Sequence, residues 1–457
     1  MLDLTLQNLA KFLGASYQGA VNVIPSGVAI DSRQIKEGDL FFAIKGEKVD
    51  GHSFVEKAFA GGAVGAVISD LSKIKNPQDK NLLVCEGSVR FLQDLAKLIR
   101  QNVKIPVIAV TGSTGKTTTK DMLFSILEQK YTTLKPEGNH NNELGLPLTL
   151  CALTKSHEAL VVEMGMRGLG QIAFLSNIAQ PTHGIITNIG QVHAELLGSV
   201  EKIAQAKAEL LEYIPPNGTV FLNFSDRSLL NPWLKYSKAS IKWFGLDQTA
   251  NIYASNILYK EEGSRFTVNY EGEHEEIELN IPGEHNILNA LSVIGIARNL
   301  GLSWEQIRQG LAFVKLTAMR LQVEKLKQGA KIINDTYNAN PTSMAAAVRV
   351  LSQMSGMRKI AVLGDMYELG VYEIEGHKTI GKLAFEEKID ILVAVGELGK
   401  LIGLGAQEAG MGDNVKFFAE NMEALSYLQE EIKSGDIILV KGSRGMKMET
   451  IVEGLLG

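Results

Sequence analysis

The chain has 457 residues, 45% of them hydrophobic and 21% charged. That is the composition of a folded protein of about three domains and excludes a disordered chain, a coiled coil or a disulfide miniprotein. Lys and Arg (46) against Asp and Glu (51) leave a formal charge of −5, without the basic excess that a duplex-binding surface needs, so no nucleic acid partner is expected. Cys85 and Cys151, with no CxxC or Cys/His cluster around them, support neither a disulfide framework nor a structural zinc site and read, with the methionines, as core filling. The opening MLDLTLQNLAKFLGAS lacks the basic start and apolar run of a signal peptide. No stretch is apolar enough to span a membrane. A cytoplasmic monomer is expected.

In chain order, residues 1–102 carry short apolar runs (GDLFFAI, AVGAVIS) and end in a helical pattern, FLQDLAKLIRQN, with apolar residues recurring at three and four. They read as a small α/β domain. From Ile105 apolar strands (IPVIAV, ALVV, GIITNI) alternate with helical stretches at 120–129 and 200–214, which predicts a mainly parallel sheet with crossover helices. Between 251 and 281 the pattern changes to period two with turn residues and predicts an antiparallel hairpin. A helix over 286–300 follows. After about residue 317 the alternation restarts (KIIND, KIAVLGD, DILVAVG, DIILVKG, each followed by a helical stretch) and predicts a second doubly wound, Rossmann-like sheet. The expected fold is therefore α/β in three domains, 1–102, 103–316 and 317–457, with a ligand cleft between the last two.

The strongest local signal is IAVTGSTGKTTTK (108–120), an apolar strand, a Gly-rich turn and a helix. Such a turn aims backbone N–H groups and a helix N-terminus at a polyphosphate, with Lys116 reaching the outer phosphates and Thr117 offering its hydroxyl to Mg²⁺. The loop is shorter than the common G-x-x-x-x-G-K-[ST] form, since its first glycine is Gly112 and Val110 stands five before Gly115. A central P-loop-type ATPase domain binding ATP or GTP is expected. Mg²⁺ needs further hard oxygen ligands, and Glu163, closing the strand ALVVE, is placed to supply one. Taken alone, Glu163, His193 after GIITNI and Lys207 in AQAKAEL also read as an ordinary loop residue, a structural histidine and a solvated helix charge.

Taken together, these motifs resemble the Mur ligase family. AIDSRQIKEGDLFFAIKGEKVDGHSF (29–54) resembles its UDP-sugar-binding segment. TGSTGKTTT, the EMG at 163–165, His193, Lys207, IPGEHNILNA (281–290) and Arg320 then follow in family order. GNHNNELGLPLTL (138–150), NDTYNANPTSM (334–344) and VLGDMYELG (362–370) look specifically like the member that adds D-alanyl-D-alanine. The Ala-His-Thr-Pro and Asp-Asn-Pro-Arg segments of the ligase adding the third amino acid are absent. Met166-Arg167 after EMG is where relatives vary.

The resemblance implies ATP-driven amide formation on UDP-N-acetylmuramoyl-tripeptide through an acyl phosphate, with D-Ala-D-Ala as the amine. It implies that Gly112, Ser113, Thr114, Gly115, Lys116, Thr117 and Thr118 cradle the phosphates. Thr117 and Glu163 would hold one Mg²⁺, and His193 would help hold a second. Lys207 resembles the family's carbamylated lysine, which needs a neutral amine accessible to CO₂. Asn286 and Asn289 would face the adenine, and Arg320 and Asp335 would reach phosphate and ribose as mobile domains close and exclude water. Asp31, Ser32, Arg33, Lys45, Gly46, Asp50 and His52 fall to the UDP-muramoyl end, where His52 alternatively braces a turn. Asn139, Asn141 and Asn142 suit sugar or peptide amides. Asn338 and Asn340 line the cleft near the dipeptide or the nucleotide. The competing readings are the ligase for the third amino acid, a folylpolyglutamate-type ligase, and a P-loop switch that makes no product.

Overall fold

Short apolar strands buried on both faces alternate with helices along nearly the whole chain, and they gather into three sheets. The computed structural model describes residues 4–190, 194–260 and 262–457. The first sheet holds β1 (Ser16–Gln18), β2 (Gly27–Ala29), β3 (Asp39–Phe42), β4 (Gly65–Ile68) and β5 (Leu82–Val84) in the order β1-β5-β4-β3-β2, parallel except for the β1–β5 edge. Ahead of it, Leu6–Leu13 is a helix because Thr5 caps its start, accepting the Asn8 N–H at 3.2 Å, and Gly14 ends it at φ 72°.

The central sheet comprises β6 (Val107–Thr111), β7 (Thr133–Leu134), β8 (Ala159–Glu163), β9 (His183–Ile186), β10 (Thr219–Asn223), β11 (Ser240–Gly245), β12 (Ile252–Lys260), β13 (Gly263–Tyr270) and β14 (Glu273–Leu279). Its order is β14-β13-β12-β11-β10-β9-β6-β8-β7. The region expected to form a separate hairpin is a three-stranded antiparallel meander, and β12 pairs in parallel with β11, so it extends the main sheet. The helix expected over 200–214 runs Val200–Ala208 and tightens into a 3₁₀ turn at Glu209–Tyr213. The last sheet has β15 (Gln322–Lys325), β16 (Lys331–Asn334), β17 (Lys359–Leu363), β18 (Ile391–Val395), β19 (Val415–Phe418) and β20 (Ile437–Lys441) in the order β15-β16-β20-β17-β18-β19, with only β15 antiparallel.

The first two units are joined by packing. The Ser88–Gln101 helix buries Leu92, Leu95 and Ile99 in one continuous core with Leu40 and Leu83 of the first sheet and Leu146, Leu150 and Leu175 of the second unit. The buried Arg100 reinforces it, donating to the carbonyls of Ala179 (2.8 Å), Gln180 (2.9 Å) and Val103 (2.8 Å). Prising these units apart would expose several side chains worth about 1.5–3 kcal/mol each. The last sheet has its own two cores and meets the centre through Tyr372, which packs against the shared core, and through polar contacts such as Arg167–Glu368 at 3.4 Å.

Candidate active site

A cleft of about 1250 Å³ opens between the central and last sheets, at the carboxyl ends of their parallel strands. Its floor is the turn after β6. Gly112 (φ 149°) and Gly115 (φ 78°) are required there: a Cβ would stand 1.8 Å from Thr187 Oγ1 at the first and 2.7 Å from Asn289 Oδ1 at the second. The end of the neighbouring strand β9 holds the loop rigidly. Asn188 accepts the Ser113 N–H at its carbonyl (3.0 Å) and the Thr114 N–H at its side chain (2.9 Å), and it donates to Thr114 Oγ1 (2.6 Å). No side chain caps the Lys116–Leu127 helix, so the N–H groups of its first turn, Thr118 included, are left for an anion. Lys116 Nζ folds back onto the carbonyls of Gly112 (2.8 Å) and Ser113 (3.4 Å). Burial holds this ammonium below its ordinary pKa, against the raising effect of Glu163.

Beside the loop, Glu163 is 3% exposed. Its Oε2 accepts the Thr117 hydroxyl at 3.0 Å and its Oε1 the Asn141 amide at 2.8 Å. Gly165 lets the asparagine loop lie close, and its N–H donates to the Asn141 carbonyl at 2.8 Å. A hydroxyl and one carboxylate at a phosphate loop suit Mg²⁺, which takes one or two carboxylates and completes its shell with phosphate oxygens and water. The described residues contain no cluster of three or more metal-ligating acids, histidines or cysteines. His193 lies outside the described residues.

Lys207 is 2% exposed, lines the cleft and makes no hydrogen bond or ion pair among the described residues. Burial first and the Lys116 charge second push its ammonium well below the ordinary lysine value. Across the junction Arg320 Cζ stands over the Tyr337 ring, 4.1 Å from its centre, with Nη2 3.5 Å from Thr117 Oγ1 and a buried Nε that has no partner among the described residues. Asp335 is paired at 2.5 Å with the buried Lys441, which also donates to the Asn338 carbonyl at 2.8 Å. Asn289 donates to Asn286 Oδ1 (3.1 Å) and Asn286 to the Pro282 carbonyl (2.8 Å), so the pair is braced with its remaining polar atoms toward the cleft.

Other expected residues are placed differently. Asn139 and Asn142 line the cleft, although Asn142 Oδ1 also accepts the Gly145 N–H at 2.8 Å. Asn338 and Asn340 line the cleft as expected, and Asn340 is also the N-cap of the Pro341–Gln353 helix in a capping box with Ser343. Asp31, Ser32, Arg33, Lys45, Gly46, Asp50 and His52 lie outside this cleft, in loops after β2 and β3. Arg33 is 77% exposed and grips Asp31 at 2.6 Å, a contact that pulls the carboxyl down to about 2. His52 Nε2 accepts the N–H groups of Ser69 (3.0 Å) and Asp70 (3.2 Å), while its Nδ1 faces Asp50 Oδ1 at 2.6 Å. Both nitrogens are used, so His52 is a brace.

Thr187, Asn188, Asp226, His285 and Lys441 were not singled out by sequence reasoning. The polar pair closing GIITN and the lysine closing DIILVK were the available signals. Two of these residues titrate oppositely. Burial pushes His285 down to about 4, against the nearby Asp335, and pushes Asp226 up to about 6 against its bond from the Ile189 N–H. On acidification the unfolded chain protonates His285 first, so that contribution is lost as pH falls from about 6.5 to about 4. At Asp226 the folded chain protonates first, so stability is gained over nearly the same window. Each is worth roughly 3 kcal/mol, and they offset. Asp226→Asn should therefore lose thermal stability between pH 6.5 and 4.5 more steeply than the parent, by a few degrees in unfolding midpoint; parallel pH profiles would contradict the assignment.

Comparison with known proteins agrees with this anatomy. Residues 25–110 match the Mur ligase family, catalytic domain; 110–297 the Mur ligase middle domain; and 319–444 the Mur ligase, glutamate ligase domain. The UDP-N-acetylmuramoyl-tripeptide–D-alanyl-D-alanine ligase of Bacillus subtilis is 40% identical over 100% of this chain and 99% of its own length. A crystal structure of MurF from Acinetobacter baumannii superposes with a TM-score of 0.87 at 33% identity, covering 99% and 98% of the two chains. MurF ligase from Thermotoga maritima, solved in complex with ADP, gives 0.82 at 27% identity over 96% and 98%. With its loop, its three sheets and full-length relatives in one order, the chain belongs to the Mur ligase family.

Proposed function

We propose that this chain is an ATP-dependent amide ligase that joins D-alanyl-D-alanine to UDP-N-acetylmuramoyl-tripeptide, supplying the pentapeptide precursor of peptidoglycan. One observation carries it: a single cleft gathers the phosphate loop, Glu163, Lys207 and, from the last domain, Arg320, in a chain similar throughout its length to ligases of that name. Residues 1–102 are assigned to the UDP-sugar, 103–316 to ATP and 317–457 to the incoming dipeptide. The substrates and the nucleotide are cytoplasmic chemistry, one chain lines the whole cleft, and no described helix is long and apolar enough to cross a membrane.

In the first step a tripeptide carboxylate oxygen attacks the γ-phosphorus and ADP leaves. In the second, the dipeptide amine attacks the acyl carbon of the acyl phosphate, inorganic phosphate leaves and the nitrogen gives up a proton. Two anions must meet in the first step, so the chain's task is to align them and spread charge. The loop N–H groups and Lys116 hold the transferring phosphoryl group, and Arg320 approaches it from the other side of the cleft. Thr117 and Glu163 would hold a Mg²⁺ bound with the nucleotide, which supplies charge neutralisation. Asn139, Asn141 and Asn338 face the cleft with both donors and acceptors, as peptide amides require. Closure of the last domain keeps water from the acyl phosphate. Mass spectrometry of a reaction containing UDP-muramoyl-tripeptide, ATP, Mg²⁺ and D-Ala-D-Ala should show the pentapeptide with one ADP per product. ADP release without an amine, or a product formed only with Lys, diaminopimelate or Glu, would overturn the reading.

A further inference from the structure

One turn beyond Lys116 and Thr117, the same helix carries Lys120 and Asp121, each 1% exposed. Neither lines the cleft. Asp121 Oδ2 accepts both the N–H and the hydroxyl of Thr317, each at 2.8 Å. Its Oδ1 takes the Lys135 ammonium at 3.0 Å, with Lys120 Nζ at 3.6 Å. Lys120 closes the group through the Thr317 hydroxyl at 3.5 Å. Three separate segments therefore meet on one buried carboxylate: the phosphate-loop helix, the end of β7 and the connection into the last domain.

Each segment delivers a cleft residue a few positions away. The helix begins with Lys116 and Thr117, the chain after Lys135 reaches Asn139 and Asn141, and Thr317 precedes Arg320 by three residues. Buried charge clusters are weak contributors to stability, because desolvation cancels most of the attraction, yet they fix geometry when every oxygen is used. Arg320 needs such fixing. Its guanidinium reaches Thr117 from another domain, and a shift of about 1 Å at a transferring group costs up to about a hundredfold in rate.

We propose that Asp121 is a positioning residue which, by clamping Thr317, sets where Arg320 meets the phosphate end of the nucleotide. The turnover readout rests on the amide-ligase reading; an ATP-binding readout does not. Thr317→Ser, which keeps the hydroxyl, should stay within about twofold of the parent. Thr317→Val should lower kcat about fivefold and ATP affinity about threefold, and Asp121→Asn should lower kcat about fiftyfold. In an Arg320→Lys background, Thr317→Val should change both quantities by less than about twofold, since the group it positions is gone. Should Asp121→Asn fail to fold, the Thr317 pair and the double mutant decide the matter. Parent-like behaviour of Thr317→Val, or an undiminished effect in the Arg320→Lys background, would overturn the proposal. A parent that binds ATP with the expected coupling but makes no amide would refute the ligase reading and leave this one standing.

Discussion

Lys116→Ala is expected to lower kcat for ADP release about a thousandfold while leaving the fold intact. The loop's N–H groups are partly committed to Asn188, so the ammonium is the mobile positive charge that can follow the phosphoryl group as it leaves ADP. It donates to the Gly112 and Ser113 carbonyls, within reach of the anion site. Lys116 makes no ion pair among the described residues and bonds only to carbonyls of its own loop, so its removal should leave the thermal unfolding midpoint near that of the parent. Preorganised charge at a transferring phosphoryl group is typically worth a factor of about 10³ or more. Steady-state kinetics with a melting curve on the same sample checks both halves. More than a tenth of parental activity would remove Lys116 from the phosphate.

Lys207→Ala should also lose activity by at least about a hundredfold, with part of it restored by added formate or acetate. A lysine this deeply buried, beside another cation and without an acid partner among the described residues, is better accommodated as a neutral amine than as an ammonium. A neutral amine can add CO₂: the nitrogen bonds to carbon, one proton is released, and the neutral amine becomes an anionic carbamate. That anion would turn the repulsion from Lys116, which now lowers the Lys207 ammonium, into an attraction. A small carboxylate diffusing into the space left by alanine reproduces the charge, which a merely structural lysine would not respond to. Full activity of the variant, or loss with no response to any carboxylate, would end the carbamate assignment for this residue.

The phosphate loop was legible in the sequence because its chemistry is local. The strand before it, the positive-φ glycines within it and the helix after it occupy 13 consecutive residues, and their conformations follow from backbone sterics alone. Strand–helix alternation likewise announced three α/β units, and Glu163, Lys207 and Arg320 meet in the cleft that the motif order implied. The hairpin expectation was local too, and it failed only in extent: period-two patterning reveals antiparallel strands but not whether their edge joins another sheet.

What the amino-acid text determined by itself, then, was the chemistry of contiguous segments: a nucleotide loop, the classes of element, and a family order. Tertiary structure decided which distant residues became neighbours. Asn188 cradles Thr114 from 74 positions away, and Asp121 clamps Thr317 from 196. Lys441 claims Asp335, His52 is spent on a turn, and the first two domains share one core. The reason is physical. Backbone conformation is set by each residue and its immediate neighbours, whereas a side chain's partner depends on strand order and on which cores fuse, and those are fixed only when the whole chain has minimised its exposed apolar surface and satisfied its buried polar groups.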